Sequence, residues 1–313
     1  MKKFKMAAAA LMLSVMVLCA TECKKPVEPV TPDTPDTPTL PAGVIDGLYT
    51  VNENGGQVYF AQGNLQYIGS AEQPYWKFAE RQWDFLAAAQ NGTSDTIDRD
   101  LFGFATSGYD HGAQLYQPWS TYDSNSKYYA YGDPVYNLYD QDGKAEWGYN
   151  AIKNGGNTEN SGWRTPTKDE WVYLFNERVT PSGIRYVKGT IKRADDEVRG
   201  LILLPDAWDT TLYVLTNINL AGVNYDGNVI TEDDWDRVFE ANGVVFLPAA
   251  GYRSYTSAGG SNNGIGDYWS SSVFNSSSAY ILNFRTTMMD PEYHNNSDGR
   301  HYGRAVRLVL DVD

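Results

Sequence analysis

The sequence predicts an α+β fold made of small antiparallel sheets, two main helices and long irregular loops. Helix start signals occur at two places, whereas the other apolar segments are short and mostly alternate with polar residues, as half-buried strands do. The chain contains 23 Tyr and 29 Gly, which favour strands and turns respectively. Patterns of strand, helix and parallel strand are few, so we expect antiparallel pairing.

The first strands are predicted soon after Gly47. Val58 and Phe60, and then Leu65 and Tyr67, alternate with polar residues on either side of a glycine. Residues 91–162 are predicted to be mostly irregular and are rich in aromatic residues. We interpret this segment as a long loop that is packed by its own side chains.

The first helix is predicted to begin at Thr167. A Thr at the N-cap followed three residues later by Glu170 is a capping box, in which each side chain accepts a hydrogen bond from the other residue's backbone amide. Trp171, Leu174 and Phe175 then recur at helical spacing and form one apolar stripe.

Two strands are predicted next, at residues 184–191 and 198–204, joined by a turn at 193–197. The run Leu201–Leu204 is apolar on both faces. Because a strand that is buried on both sides reads as a continuous apolar run, we predict a central position for the second strand.

A second helix is predicted to begin at Thr231 and end at Gly243. Asp233 and Asp234 lie in its first turn, where the helix dipole favours acidic side chains. Glycine commonly ends a helix. Further strands are predicted at residues 244–247, 268–272, 279–285 and 304–310, with a loop rich in Gly, Ser and Asn at 252–266.

Residues 1–22 have the pattern of a lipoprotein signal peptide. Three lysines precede an apolar stretch at 7–18 that is too short to span a membrane. The only two cysteines of the chain, Cys19 and Cys23, follow this stretch. We predict that Cys23 carries a lipid, with Cys19 as the alternative. An ordinary cleaved signal with incidental cysteines is the other interpretation.

Residues 23–43 form a tether rich in Pro, Thr and Asp, and residues 44–313 are predicted to form one domain. Proline favours the extended polyproline II conformation, which would hold the domain away from a membrane. A disordered linker without a mechanical role fits the same residues. We expect an exported protein that is lipid-anchored at the outer membrane and lies at the cell surface, while a periplasmic orientation stays open.

The formal net charge of −14 excludes some partners. Residues 1–22 carry three lysines and one glutamate, so the rest of the chain is more acidic still. A strongly acidic surface repels nucleic acid and anionic lipid headgroups. We therefore predict no nucleic-acid partner, and membrane contact through the lipid anchor alone.

Six motifs follow one another in the second half of the chain. They are Trp163-Arg-Thr-Pro-Thr-Lys-Asp-Glu-Trp171, Leu201-Ile-Leu-Leu-Pro205, Val245-Phe-Leu-Pro-Ala-Ala-Gly-Tyr-Arg253, Tyr268-Trp-Ser-Ser-Ser272, Ala279-Tyr-Ile-Leu-Asn-Phe-Arg285 and Gly303-Arg-Ala-Val-Arg-Leu-Val309. In this order they resemble the major paralogous domain family of Bacteroidetes lipoproteins, within the C-type-lectin-like and formylglycine-generating-enzyme-like superfamily. The resemblance implies a C-type-lectin-like fold whose N- and C-terminal strands lie close together.

The residues offer no recognisable catalytic set. Formylglycine-generating relatives depend on cysteines in the folded body, whereas both cysteines here lie at the end of the signal and outside that body. The three histidines, His111, His294 and His301, include no pair at metal-ligand spacing. We therefore predict a protein that is not an enzyme and that uses neither a cofactor nor a metal ion.

Two groups of acidic residues leave a hydrolase as an alternative. Asp195, Asp196 and Glu197 are interpreted as a turn, and the acids after Thr231 as a helix start. The segment Asn224–Asn228 carries Asn and Asp at alternate positions but lacks the Gly and Glu positions of a calcium-binding EF-hand loop. We interpret it as a turn, and calcium binding stays an open question.

The candidate ligand-binding residues are Tyr252, Tyr255, Asn262, Asn263 and Trp269. Aromatic rings combined with amide donors suit sugar rings or protein loops. The competing interpretation places Trp269 in the core and makes the loop a cover. The sequence thus predicts a non-catalytic surface lipoprotein that binds a glycan or protein ligand, with a structural or adhesin subunit of a surface assembly as the alternative; its oligomeric state is open.

Overall fold

The computed structural model describes residues 39–87, 96–108, 137–140, 143–254, 257–294 and 299–312. In chain order the strands are β1 (Tyr49–Thr50), β2 (Gln57–Phe60), β3 (Leu65–Ile68), β4 (Tyr75–Phe78), β5 (Tyr186–Lys192), β6 (Glu197–Leu203), β7 (Val229–Thr231), β8 (Val245–Pro248), β9 (Tyr252–Ser254), β10 (Ser257–Gly259), β11 (Gly266–Val273), β12 (Ala279–Arg285), β13 (Met288–Tyr293) and β14 (Val309–Asp311). The α-helices are α1 (Lys168–Val172) and α2 (Glu232–Asp234). The predicted α+β class is confirmed, with small, mostly antiparallel sheets and two short helices.

A four-stranded sheet has the order β7-β5-β6-β8. β5 pairs antiparallel with β6, β6 antiparallel with β8, and β7 parallel with β5. The predicted central position of β6 is confirmed, because it is hydrogen-bonded on both sides and Leu201–Leu204 are fully buried.

A three-stranded sheet, in the order β1-β2-β14, joins the two ends of the domain. Val309 faces Phe60 and Asp311 faces Val58 in the antiparallel register of β14 and β2. The pairing of N- and C-terminal strands that the resemblance implies is therefore present. The predicted strand at 304–310 is shorter than expected, since only its end lies in a continuous ladder.

The second three-stranded sheet, β11-β12-β13, carries most of the residues discussed below. β11 and β12 were predicted, whereas β13 was not. Pro291, flanked by Asp290 and Glu292, interrupts the alternation by which strands are recognised. β13 forms because it pairs with β12, as in the register Asn283 to Asp290.

Both predicted helix starts are confirmed. Thr167 Oγ1 accepts from the Glu170 amide at 3.1 Å, and Glu170 Oε2 accepts from the Thr167 amide at 2.7 Å, which completes the capping box. Thr231 Oγ1 accepts from the Asp234 amide at 3.1 Å. Both helices continue beyond their α-helical turns as wider π turns, and the second ends at Gly243 with a φ of 75°, in the left-handed region.

The segment 252–266, which was predicted as a loop, contains secondary structure that the sequence did not predict. β9 and β10 form a two-stranded hairpin, and a 3₁₀ turn follows at Ser261–Asn263. Short strands of small residues such as Ser257–Gly259 carry little apolar alternation, so the sequence pattern does not show them.

Several arginines lie inside the domain, where charged side chains are rarely fully buried. The buried arginines are Arg99, Arg178, Arg253, Arg300, Arg304 and Arg307. Arg307 occupies an alternating position of the last predicted strand, yet it is as buried as Val306 and Leu308. Among the described residues, no helix has the length and apolar character needed to cross a membrane.

Candidate functional site

A polar cleft of about 240 Å³ lies at the sheet of β11, β12 and β13. We call it the tyrosine cleft. Its lining residues are Tyr252, Ser254, Ile265, Asp267, Asn283, Arg285, Tyr293, Tyr302 and Arg304.

Strand register brings the polar residues of the cleft together. Asp267 on β11 is the direct cross-strand partner of Asn283 on β12. Arg285 lies two residues further along β12, so it belongs to the same face as Asn283. The next residue after Arg304, Ala305, donates its amide to the Asp267 carbonyl at 3.0 Å, which places Arg304 beside β11.

These residues form a continuous chain of polar contacts. Arg304 Nη1 and Asn283 Nδ2 donate to different oxygens of the Asp267 carboxylate. Arg285 Nη2 donates to Asn283 Oδ1 at 3.1 Å. Asp267, Asn283 and Arg304 are all buried, so the ion pair is shielded from water. Asp267 therefore acts as the fixed counter-charge of Arg304.

Aromatic rings enclose one end of this chain. The guanidinium carbon of Arg304 lies 5.1 Å from the ring centroid of Trp269 and 5.6 Å from that of Tyr302. Both are cation–π distances. The Tyr302 and Tyr252 rings lie 6.3 Å apart at 38°. Because Tyr252, Tyr293 and Tyr302 are only partly buried, they give the cleft an accessible aromatic lining.

A buried lysine fixes the strand end that carries Arg285. Lys188 Nζ donates to the carbonyls of Arg285 and Met288, at 2.6 and 3.0 Å, on either side of the turn between β12 and β13. It also donates to the carbonyls of Ala221 and Val223, at 2.6 and 3.0 Å. Burial lowers the pKa of Lys188 to about 8, while the four carbonyl dipoles favour its charged form.

A second pocket, of about 220 Å³, lies next to β6 and contains Asn262. We call it the Asn262 pocket; its lining residues are Phe85, Glu197, Val198, Arg199, Ala249, Ser261 and Asn262. Arg199 donates to Glu197 Oε1 at 3.3 Å and to the Asn262 carbonyl at 3.5 Å. The two charges of this pocket thus pair with each other.

The structure separates the five predicted ligand-binding residues. Tyr252 lines the tyrosine cleft and Asn262 lines the other pocket, while Asn263 is exposed in the 3₁₀ turn. The prediction that Trp269 binds a ligand is corrected, since this side chain is fully buried and its Nε1 donates to the Phe102 carbonyl at 2.7 Å. Its ring packs in the core beneath Arg304. Tyr255 lies outside the described residues, as do Cys19 and Cys23.

The predicted acidic groups lie where the sequence placed them, at a turn and a helix start. Asp196 pairs with Arg193, and Asp233 and Asp234 both pair with Arg237. Asn224 donates to the Asp226 carboxylate at 2.8 Å within a turn. In the part of the chain that the structure describes, no three His, Cys, Asp or Glu side chains form a group suited to a metal ion.

Sequence reasoning missed most residues of the cleft. Asn283 and Arg285 belong to the Ala279–Arg285 motif, and Arg304 to the last motif. We predicted strands at both motifs and assigned neither to ligand binding. A usable signal was present, because polar residues two apart in a strand share a face, and both Asn283 and Arg285 satisfy that spacing.

Comparison with known proteins adds a family match without a function. A model described as a domain of unknown function, DUF8237, matches residues 206–309. This segment covers less than half of the chain, yet it contains every residue that lines the tyrosine cleft. Neither a curated protein nor a solved structure matches the chain.

Proposed function

We propose that this chain is a non-catalytic lipoprotein of the outer membrane that binds a glycan at the cell surface, with one sugar ring seated in the tyrosine cleft. The observation that carries the proposal is the composition of that cleft. Three partly exposed tyrosines surround a fixed set of amide, hydroxyl and guanidinium groups. Sugars present both apolar ring faces and polar hydroxyls, so a site that binds them needs both aromatic rings and hydrogen-bonding groups.

The size of the cleft supports a single ring. Pockets for drug-sized ligands measure about 300 to 1,000 Å³. The cleft, at about 240 Å³, falls below that range. A longer glycan would therefore place one unit in the cleft and extend the remainder across the surface.

The carboxylate of the cleft supports binding rather than hydrolysis. Glycosidases commonly use two carboxyl groups about 5 to 10 Å apart. Among the described residues that line the cleft, Asp267 is the one carboxylate, and both of its oxygens accept hydrogen bonds from buried partners. It is held as a structural counter-ion.

The C-type-lectin-like fold is part of the proposal. The paired terminal strands, the two capped helices and the small antiparallel sheets support it. Lipid attachment at Cys23, with Cys19 as the alternative, rests on the signal pattern and the Pro/Thr/Asp tether.

Glycan binding is tested by screening the purified domain on a glycan array and measuring hits by calorimetry. Tyr302→Ala and Tyr252→Ala should each weaken binding of a hit about tenfold or more, which corresponds to about 1.4 kcal/mol. Asn262→Ala, in the other pocket, is the matched control and should change affinity less than about twofold. Binding that is lost in Asn262→Ala and kept in both tyrosine variants would place the site elsewhere.

Anchoring is tested separately by separating membrane and soluble fractions. Cys23→Ala should move the protein into the soluble fraction, whereas Cys19→Ala should leave it with the membrane. The reverse result would show that Cys19 is the anchor, and membrane retention of the double variant would refute lipid anchoring.

A further inference from the structure

Among the described residues that line the tyrosine cleft, basic side chains outnumber acidic ones by one. Its charged lining residues are Asp267, Arg285 and Arg304. Asp267 is paired with Arg304. Among the described residues, no carboxylate lies within ion-pair distance of Arg285, whose one side-chain hydrogen bond there is to the neutral amide of Asn283.

This excess stands out in a chain with 39 acidic and 25 basic residues. Arg81, Arg193 and Arg237 each pair with at least one carboxylate. Arg285 has no such ion pair among the described residues, and its Nε is also a buried donor without an acceptor there. A buried donor that lacks an acceptor costs free energy until a partner arrives.

Arg285 is also held in position. Its carbonyl accepts from Lys188 Nζ at 2.6 Å, and its side chain contacts Asn283, which is fixed in turn by Asp267. A guanidinium that is already oriented loses less conformational freedom when it binds an anion.

We propose that the cleft selects an acidic sugar, a uronic or sialic type of residue, whose carboxylate pairs with the Arg285 guanidinium while its ring packs against the tyrosines. This inference rests on the proposed glycan-binding function and names the class of sugar. Arginine presents parallel N–H donors that match the two oxygens of a carboxylate. The single excess positive charge matches one carboxylate better than a doubly charged phosphate.

The experiment compares matched acidic and neutral sugars on the purified domain by calorimetry and ligand-observed NMR. The probes are glucuronic acid against glucose, galacturonic acid against galactose, and N-acetylneuraminic acid. The wild-type protein should bind at least one acidic sugar about tenfold or more tightly than a neutral one, the size of effect expected of a hydrogen bond to a charged group.

Arg285→Gln should remove this preference, while Arg285→Lys should keep part of it. Arg199→Gln, in the Asn262 pocket, is the matched control and should keep all of it. A far-UV circular dichroism spectrum and an unfolding midpoint like those of the wild type show that Arg285→Gln is folded.

The outcomes separate the two proposals. Equal binding of acidic and neutral sugars, abolished by Tyr302→Ala, would overturn the acidic-sugar inference and support glycan binding. An acidic preference that survives Arg285→Gln would also overturn the inference. Absence of binding to every one of these sugar probes would also overturn the acidic-sugar inference. If the array then gives hits with other glycans, the proposed glycan-binding function stands without that inference.

Discussion

The tyrosine cleft and the Asn262 pocket both take residues from the segment 252–267 and both hold an ion pair, but the two pairs lie in opposite surroundings. In the cleft, the Arg304 and Asp267 side chains are 2% and 6% exposed. In the pocket, the Arg199 and Glu197 side chains are 38% and 58% exposed. The ion pair of the tyrosine cleft therefore lies in a low-dielectric environment, whereas the ion pair of the Asn262 pocket lies in contact with water.

The difference explains why only the cleft can offer fixed charges to a ligand. Two exposed side chains reorient freely, and water and salt screen their attraction. A buried charge must keep its partner, because separation leaves an uncompensated ion in the interior. The Asp267–Arg304 pair thus holds the cleft in one arrangement, whereas Arg199 and Glu197 can rearrange at little cost.

Removal of the buried counter-charge should give the largest effect on stability. Asp267→Asn removes the carboxylate of Asp267 from the buried Arg304, so we expect a loss of about 3 to 5 kcal/mol in the free energy of unfolding. Glu197→Gln, the matched change in the Asn262 pocket, should cost less than about 1 kcal/mol. Urea unfolding measures both, and equal losses would contradict the contrast between the two sites.

Glu146 extends the comparison to a buried carboxyl group without a cation in hydrogen-bond contact. Its Oε2 accepts from the Thr165 amide and hydroxyl at 3.0 and 2.8 Å, while Oε1 has no partner among the described residues. Burial raises the pKa of Glu146 from 4.5 to about 7.

The sign of the resulting pH dependence follows from proton binding. Between pH 4.5 and 7 the folded protein keeps a proton that the unfolded chain has released, so the contribution of Glu146 to stability is lost as the pH rises. At about 1.4 kcal/mol per pKa unit, the loss amounts to about 3 kcal/mol across this range.

Glu146→Gln should remove this dependence, because the neutral amide keeps an oxygen for Thr165. The measurement is the difference in unfolding free energy between variant and wild type at pH 5 and at pH 7, which should shift in favour of the variant at the higher pH. Glu53→Gln, at an exposed position, is the control and should show no such shift. An unchanged difference at both pH values would show that Glu146 is ionised throughout.

Lys188 tests a buried cation whose hydrogen-bond acceptors among the described residues are all carbonyl groups. Lys188→Met keeps an unbranched apolar stem but leaves four carbonyls without this donor, and we expect a loss of about 2 kcal/mol. Lys192→Met, at the exposed end of the same strand, should stay within about 0.5 kcal/mol of wild type. A loss as small as that of Lys192→Met would show that water replaces the ammonium group.

Local signals account for the parts of the fold that the sequence predicted. The capping box at Thr167, the helix end at Gly243 and the apolar run of β6 each depend on residues close together in the chain. The capping hydrogen bonds form between these neighbouring residues, and the apolar run by itself indicates a strand that will be buried. Such elements could be predicted before any tertiary contact was known.

The cleft could not be predicted in this way, because its contacts join distant residues. Asp267 forms its ion pair with Arg304, which lies 37 positions further along the chain. Trp269 lies in the core, where its Nε1 bonds to the Phe102 carbonyl and its ring lies next to the Arg304 guanidinium. A side chain such as Trp269 fits both a binding surface and a core by type. Only the position of the neighbouring segments decides between them.

The smallest expected effect is the coupling between Arg199 and Glu197, and it tests the comparison from the exposed side. A double-mutant cycle with Arg199→Gln and Glu197→Gln should give a coupling energy below about 1 kcal/mol. Added salt at about 1 M should remove most of it, since the Debye length then shrinks to about 3 Å. A coupling of several kcal/mol that resists salt would mean that water is excluded from the Asn262 pocket in solution. The charges of the Asn262 pocket would then be held in place as firmly as those of the tyrosine cleft, because the burial of the ion pair is the difference between the two sites.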